Sequence, residues 1–198
     1  ALPALSVRTA FDAWLSILNL PRGSEVIMTG INIPDMVNIL EYHGLQIVPI
    51  DLDLETLEIT DNALENAITP KTRIVLVAHL FGARASMSPI FNVTNQHPDI
   101  LVAEDCAQAF TGVDGYLGDD RSDISLFSFG PIKTATALGG AMLRIQSPVQ
   151  RKAVRGKLEK HPLQTHTYFA RKTLKYTLLK TLTLRPIYGL FIKACQLL

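Results

Sequence analysis

Cysteine is almost missing from this chain: Cys106 and Cys195 are the two present in 198 residues. One pair gives no disulfide framework and fits a reducing compartment. The five histidines, at 43, 79, 97, 161 and 166, include no pair with a neighbouring Cys or Asp at metal-ligand spacing, so no metal site is expected. No charge-free apolar run is long enough to span a bilayer. No basic–apolar–small leader stands before the first helical pattern. These absences suggest a cytoplasmic protein. No repeat or low-complexity tract is present, and no Gly-x-Gly-x-x-Gly follows the first strand-like run, which weighs against a dinucleotide-binding domain. The last residues, Gln196-Leu-Leu, carry no stop signal, so a further part is expected beyond them.

What is plentiful is apolar residues, 47% of the chain, enough for one sizeable core. Charge is balanced in total, at +1, but unevenly placed. Residues 151–198 hold 11 Lys and Arg against a single acid, Glu159. Such asymmetry implies two regions with different surroundings.

The pattern alternates helices with short apolar strands. Strands are expected at 25–28, 46–50, 73–78, 100–103, 123–129 and 140–145, with helices at 9–18, 34–43, 61–68 and 88–96 between the early ones. Repeated strand–helix–strand units of this length give an α/β fold: a mainly parallel sheet with helices on both faces. The expected division is a domain over 1–146 and a helical, basic amphipathic segment over 147–198. Within the tail, basic side chains at 171, 172, 175 and 180 interrupt an apolar stripe. Over 168–198 this suits either peripheral contact with an anionic membrane or packing against a further domain or subunit. With no recognition motif and large apolar residues between the basic ones, nucleic acid is not an expected partner.

Two segments carry chemistry. Lys133 follows a strand-like run and a Gly130-Pro131 break, among small and apolar neighbours. Poor hydration there favours a neutral, nucleophilic amine, although an ordinary loop lysine has the same local sequence. Upstream, Ile100-Leu-Val-Ala-Glu104-Asp105-Cys106-Ala-Gln108 ends an apolar run in two carboxylates. In an open α/β sheet ligand groups lie past the carboxyl ends of strands, so Asp105 is placed to hold a cationic partner or to cap a helix. A lysine and an aspartate are the protein groups that pyridoxal phosphate (PLP) most needs.

With these come Leu20-Pro-Arg-Gly23-Ser-Glu25, Asp51-Leu-Asp53, Thr69-Pro70, His79-Leu-Phe-Gly82, Ser128-Phe-Gly-Pro-Ile-Lys133 and Gly139-Gly140. In this order they resemble the DegT/DnrJ/EryC1/StrS family of PLP-dependent sugar aminotransferases, over roughly residues 5–146. The resemblance implies the fold type I large domain, a homodimer, and transfer of an amino group from a donor such as glutamate to a nucleotide-linked keto sugar. It implies Lys133 as the Schiff-base lysine, Asp105 against the pyridine nitrogen, Gln108 near the ring and Ser128 on the phosphate. Ser6, Val7 and Arg8 occupy the place of the phosphate-binding loop, where Ser6 also reads as an N-cap. There Val7 and Arg8 replace a small Gly-Thr pair, and Arg8 offers a charge-assisted bond. Ile33 stands where many relatives carry a stacking aromatic, and Asn32 beside it suits a bond to cofactor or substrate, or a helix cap. An inactive relative with a binding or regulatory role is the alternative these departures leave open.

Overall fold

The computed structural model describes residues 1–196; the last two residues of the helical segment expected over 147–198 lie outside the described residues. The chain divides into two compact units, the first ending at Lys160 and the second beginning at His161.

In the first unit the elements run β1 (Leu2–Ala4), α1 (Val7–Leu18), β2 (Glu25–Thr29), α2 (Pro34–Tyr42), β3 (Gln46–Ile50), α3 (Asp61–Ala67), β4 (Thr72–Ala78), α4 (Ser88–Thr94), β5 (Leu101–Asp105), β6 (Ile124–Ser128), β7 (Ala141–Ile145) and α5 (Pro148–Leu158). The seven strands form one sheet in the order β1-β7-β6-β5-β4-β2-β3. Strands β3, β2, β4, β5 and β6 are parallel, while β7 runs antiparallel to β6 and β1 antiparallel to β7. The α/β, mainly parallel expectation thus holds. β1 escaped the sequence reading because three residues are too few to show a period.

Local chemistry sets the helix starts. Ser6 Oγ accepts the Thr9 N–H at the head of α1, Thr60 does the same for α3, and Ser147 followed by Pro148 opens α5. The apolar spacing of α1 turns Ala10, Phe11, Trp14 and Leu15 to one face. That face, with Met36 and Leu40 of α2 and Val154 of α5, forms a core on one side of the sheet. Leu64 of α3 with Ile90 and Phe91 of α4 forms a second core on the other side. Both faces are therefore covered, which explains why β4 reads as an unbroken apolar run: Ile74 to Ala78 are all buried.

The first unit passes residue 146 because α5 returns to α1. Trp14 is fully buried, and its indole Nε1 donates to Gln150 Oε1 at 3.1 Å. The second unit holds α6 (His166–Leu182) and α7 (Arg185–Gln196). α6 buries none of its residues. Among the described residues no helix is long and apolar enough to cross a membrane.

Trp14→Ala removes a fully buried indole and its bond to α5. It is expected to cost about 3–5 kcal/mol in denaturant unfolding of the first unit, whereas Gln150→Ala alone should cost about 1 kcal/mol. Equal losses would show that the hydrogen bond, not the packing, joins α1 to α5.

Candidate functional site

The strand order places a crevice before any side chain is considered. From β2 the chain crosses by α2 to edge strand β3, then returns past β2 through α3 to β4. α2 packs in one core while α3 and α4 pack in the other, so the carboxyl ends of β2 and β4 diverge at a topological switch point, where open α/β sheets bind ligands. A cavity of about 160 Å³ lies there. Its walls come from the loops after three strands: Asn32 and Ile33 after β2, His79 and Phe81 after β4, and Asp105 and Gln108 of β5 and its loop; Lys133 joins them from the β6–β7 connection.

Each wall has a local cause. Thr29 Oγ1 donates to Ile31 O at 3.1 Å, turning the chain after β2. Asn32 Oδ1 accepts the Ile33 N–H at 2.8 Å, and Ile33, with no side-chain bond, is the N-cap of α2, so Asn32 is not the helix cap. Its Nδ2 is buried without a partner, a donor left for whatever fills the cavity. Lys133 sits in the loop of an antiparallel hairpin. The carbonyl of Phe129 accepts both Ala137 N–H and Gly139 N–H, and Phe129 N–H donates to Gly140 O, closing the loop at its neck. Gly140 has φ +90°, which a side chain would strain. Phe110, from the loop after β5, packs edge-on against Phe127 and Phe129 at 5.2 and 5.6 Å. The Lys133 loop and the Asp105 loop are thereby packed together.

Asp105 is the last residue of β5 and 8% exposed. It caps no helix: its Oδ1 accepts the Ala107 N–H at 2.9 Å in an Asx turn. No protein donor reaches its other oxygen among the described residues. Burial pushes its carboxyl above the ordinary value of 3.8, opposed by the Ala107 amide and the positive charge of Lys133. A buried carboxylate short of a partner favours a protonated ring nitrogen brought beside it.

Five of the residues singled out in the sequence thus meet at one cavity: Lys133, Asp105, Gln108, Asn32 and Ile33. Ser128 ends β6, half-buried, outside its lining. Ser6 is the cap of α1, and its Oγ also pairs with Thr9 Oγ1 at 3.0 Å. Val7 is buried in the core behind it. Arg8 Nη1 donates to Asp35 Oδ2 at 2.5 Å, so its guanidinium already has a carboxylate partner at the start of α2.

Two buried groups escaped the reading of the sequence as functional. His79 and Glu104 side chains are wholly buried, and His79 Nε2 lies 2.9 Å from Glu104 Oε2. His79 Nδ1 accepts the Ala85 N–H at 3.1 Å, which fixes the proton on Nε2. Burial opposes ionisation of Glu104, but hydrogen bonds from His79 and the Asp119 amide prevail and hold its carboxyl below the usual value. His79, Glu104 and Cys106 lie close enough to suggest a metal site. With Nδ1 taken by the Ala85 N–H and Nε2 given to Glu104, the three side chains form a buried hydrogen-bond network together with the Tyr116 hydroxyl. The available signal was a polar residue at each of two adjacent strand ends, one of them facing the sheet's interior.

Lys133 and the buried Asp105 thus line one cavity at the switch point of a doubly wound α/β domain. The chain belongs to the DegT/DnrJ/EryC1/StrS aminotransferase family, which it matches over residues 4–178. It is 33% identical over 130 residues to a GDP-perosamine synthase of Escherichia coli O157:H7, covering 65% of this chain and 35% of that protein. A GDP-perosamine synthase of Caulobacter vibrioides is 32% identical over 136 residues, covering 68% and 36%. The chain therefore spans about a third of the length of the curated relatives it matches. Among solved structures, a putative sugar aminotransferase from Streptococcus pneumoniae in its PLP form superposes with TM-score 0.69 at 22% identity, over 80% of this chain and 45% of that one. DesV of S. venezuelae, in complex with a ketimine intermediate, gives 0.70 at 24%, over 84% and 45%. At these identities the likeness establishes the fold.

Asp105→Asn keeps the acceptor for Ala107 and removes a buried charge. A raised folded-state pKa means that this carboxylate costs stability above the folded pKa, and the cost disappears as pH falls below the unfolded value near 3.8. In the cofactor-free protein the variant should melt at higher temperature at neutral pH, with the gain shrinking in acid, while losing affinity for pyridoxal phosphate. A lower melting temperature at neutral pH would contradict the charge cost.

Proposed function

We propose that this chain is the cofactor-binding part of a PLP-dependent aminotransferase that moves an amino group from a donor such as glutamate to a keto sugar carried on a nucleotide. The observation that carries the reading is Lys133 and Asp105 lining one cavity at the switch point. The residues present fit the cofactor. Asp105 offers an oxygen that no protein donor among the described residues reaches and a carboxyl that burial raises despite the charge of Lys133. Asn32 offers a buried donor without a partner. Family membership and the perosamine synthases among the relatives support a sugar as acceptor.

Bound there, pyridoxal phosphate supplies an electron-accepting ring. Lys133 is the amine that anchors the cofactor's aldehyde carbon and, when free, takes and returns a proton at the substrate carbon. Asp105 keeps a proton on the ring nitrogen. Gln108 is engaged through Oε1 by the Phe81 N–H at 3.1 Å, which leaves its amide nitrogen to donate toward the ring oxygen. Ser128 and the capped start of α1, with Ser6, Val7 and Arg8, are assigned to the phosphate, because backbone N–H groups there favour an anion. Ile33 covers a ring face by apolar contact alone. A second copy of the chain completes the site in this reading. An inactive relative would bind cofactor without turnover, so conversion of glutamate by the intact protein separates the two.

Borohydride reduction of the protein incubated with pyridoxal phosphate should fix the cofactor at Lys133, read by peptide mass. Lys133→Ala should lose at least nine-tenths of that label, a fraction of about tenfold or more in signal. Undiminished labelling at another lysine would sink the assignment.

The second unit carries a separate proposal, contact with an anionic membrane surface. From residue 161 onward it holds six Lys and Arg and no acid. Tyr168, Phe169, Leu174, Leu178, Tyr188 and Phe191 are all more than half exposed or at half exposure. Co-sedimentation with vesicles containing phosphatidylserine should fall when residues 161–198 are deleted, and fall with added salt. Unchanged binding ends the membrane reading.

A further inference from the structure

Phe81 is held in a conformation that its own chemistry disfavours. Its φ is +55°, in the left-handed region that non-glycine residues avoid, and Gly82 follows at +86°. It is also 74% exposed while lining the cavity. Hydrophobic burial therefore gives no reason for its position. An outlier of this kind persists only where surrounding structure over-determines it.

That surrounding structure is the buried network. The His79 ring closes the loop after β4 from inside, since its Nδ1 accepts the Ala85 N–H while the His79 N–H donates to Asp105 O at 3.0 Å. Between those anchors Ala83 N–H donates to Leu80 O, tightening the turn that presents Phe81. Glu104 fixes the loop after β5 in the same way. Its Oε1 accepts from the Asp119 amide at 2.8 Å and from Ser125 Oγ at 3.2 Å. Gly118 passes so close that an added Cβ would lie 2.9 Å from Glu104 Oε1, at φ +81°. Tyr116 then ties the two loops: its hydroxyl lies 3.0 Å from His79 Nε2 and 3.3 Å from Glu104 Oε2. Arg84 lies 4.0 Å over the Tyr116 ring and pairs with Asp114. Phe81 itself is pinned by its N–H to Gln108 Oε1.

We propose that the buried His79–Glu104–Tyr116 cluster is a positioning device that holds Phe81, against backbone strain, at the lip of the cavity, where its ring closes the cofactor site. This rests on the PLP reading above. Here His79 is a positioning residue and Phe81 is the group that meets the ligand. The aromatic surface that Ile33 does not provide on its wall comes from this loop.

The experiment joins thermal unfolding to cofactor binding in one mutant cycle. Phe81→Gly relieves the left-handed strain and should raise the melting temperature of the cofactor-free protein by about 2–4 °C. The same variant should weaken binding of pyridoxal phosphate, measured by absorbance titration, by roughly 3–10-fold. His79→Leu removes both ring bonds and should lower both stability and cofactor affinity. His79→Gln keeps one acceptor and one donor and should restore part of each. In the double variant the stability penalty of His79→Leu should shrink, because the strain it restrained is gone. Should His79→Leu fail to fold, Tyr116→Phe and His79→Gln take its place in the cycle. Additive melting shifts, or unchanged cofactor affinity in Phe81→Gly, overturn the proposal. The two failures are distinguishable: if the unaltered protein does not bind pyridoxal phosphate the functional reading falls, while the coupling between residues 79 and 81 is still read in the cofactor-free protein.

Discussion

Ala78 lies opposite Asp105 across the parallel pair β4–β5, and the rest of the site depends on that register. It brings two strands to an end at the same level, so that one buried acid, one buried imidazole and two loops start from a common edge. The pairing continues one step past the strands, where His79 N–H donates to Asp105 O. A one-residue slip would turn Asp105 into the sheet's other face and Glu104 toward the cavity. Parallel strands buried on both sides resist that slip, because β4 and β5 each have apolar cores to satisfy above and below.

Glu104 and Asp105 show how neighbouring, chemically similar residues are given opposite states. Glu104 is wholly buried, yet its oxygens are surrounded by donors, and its carboxyl is held below the usual range. Asp105 has one amide bond, and burial leaves its carboxyl raised. The first is structural because its charge is satisfied within the protein. The second is available because its charge is not. Strand alternation separates them by sending successive side chains to opposite faces.

Two unfavourable features lie at the same edge. Phe81 adopts left-handed backbone, and Asn32 keeps a buried donor unpaired. Each is unfavourable for folding, and both border the one cavity with Lys133. The stable parts of the first unit, the two cores on either face of the sheet, offset such costs. The second unit differs in kind: α6 has no buried residue to stabilise it from within.

The alternation of apolar strands and amphipathic helices was enough to read the α/β class, because periods of 2 and 3.6 are written locally in the chain. Lys133, Asp105 and Gln108 were legible as a set from motif order, and the structure lines one cavity with them. The antiparallel return of β7 and the three-residue β1 were not, since pairing direction depends on partners far away in sequence. Nor was the His79–Glu104–Tyr116 cluster, whose members come from three segments and meet only when β4 lies beside β5. The sequence by itself determined which residue types were available and which local elements they form. Tertiary structure alone decided which acid is satisfied, which is left wanting a cation, and where an exposed phenylalanine is held, because burial and partners are properties of the folded surroundings and not of any residue's own chemistry.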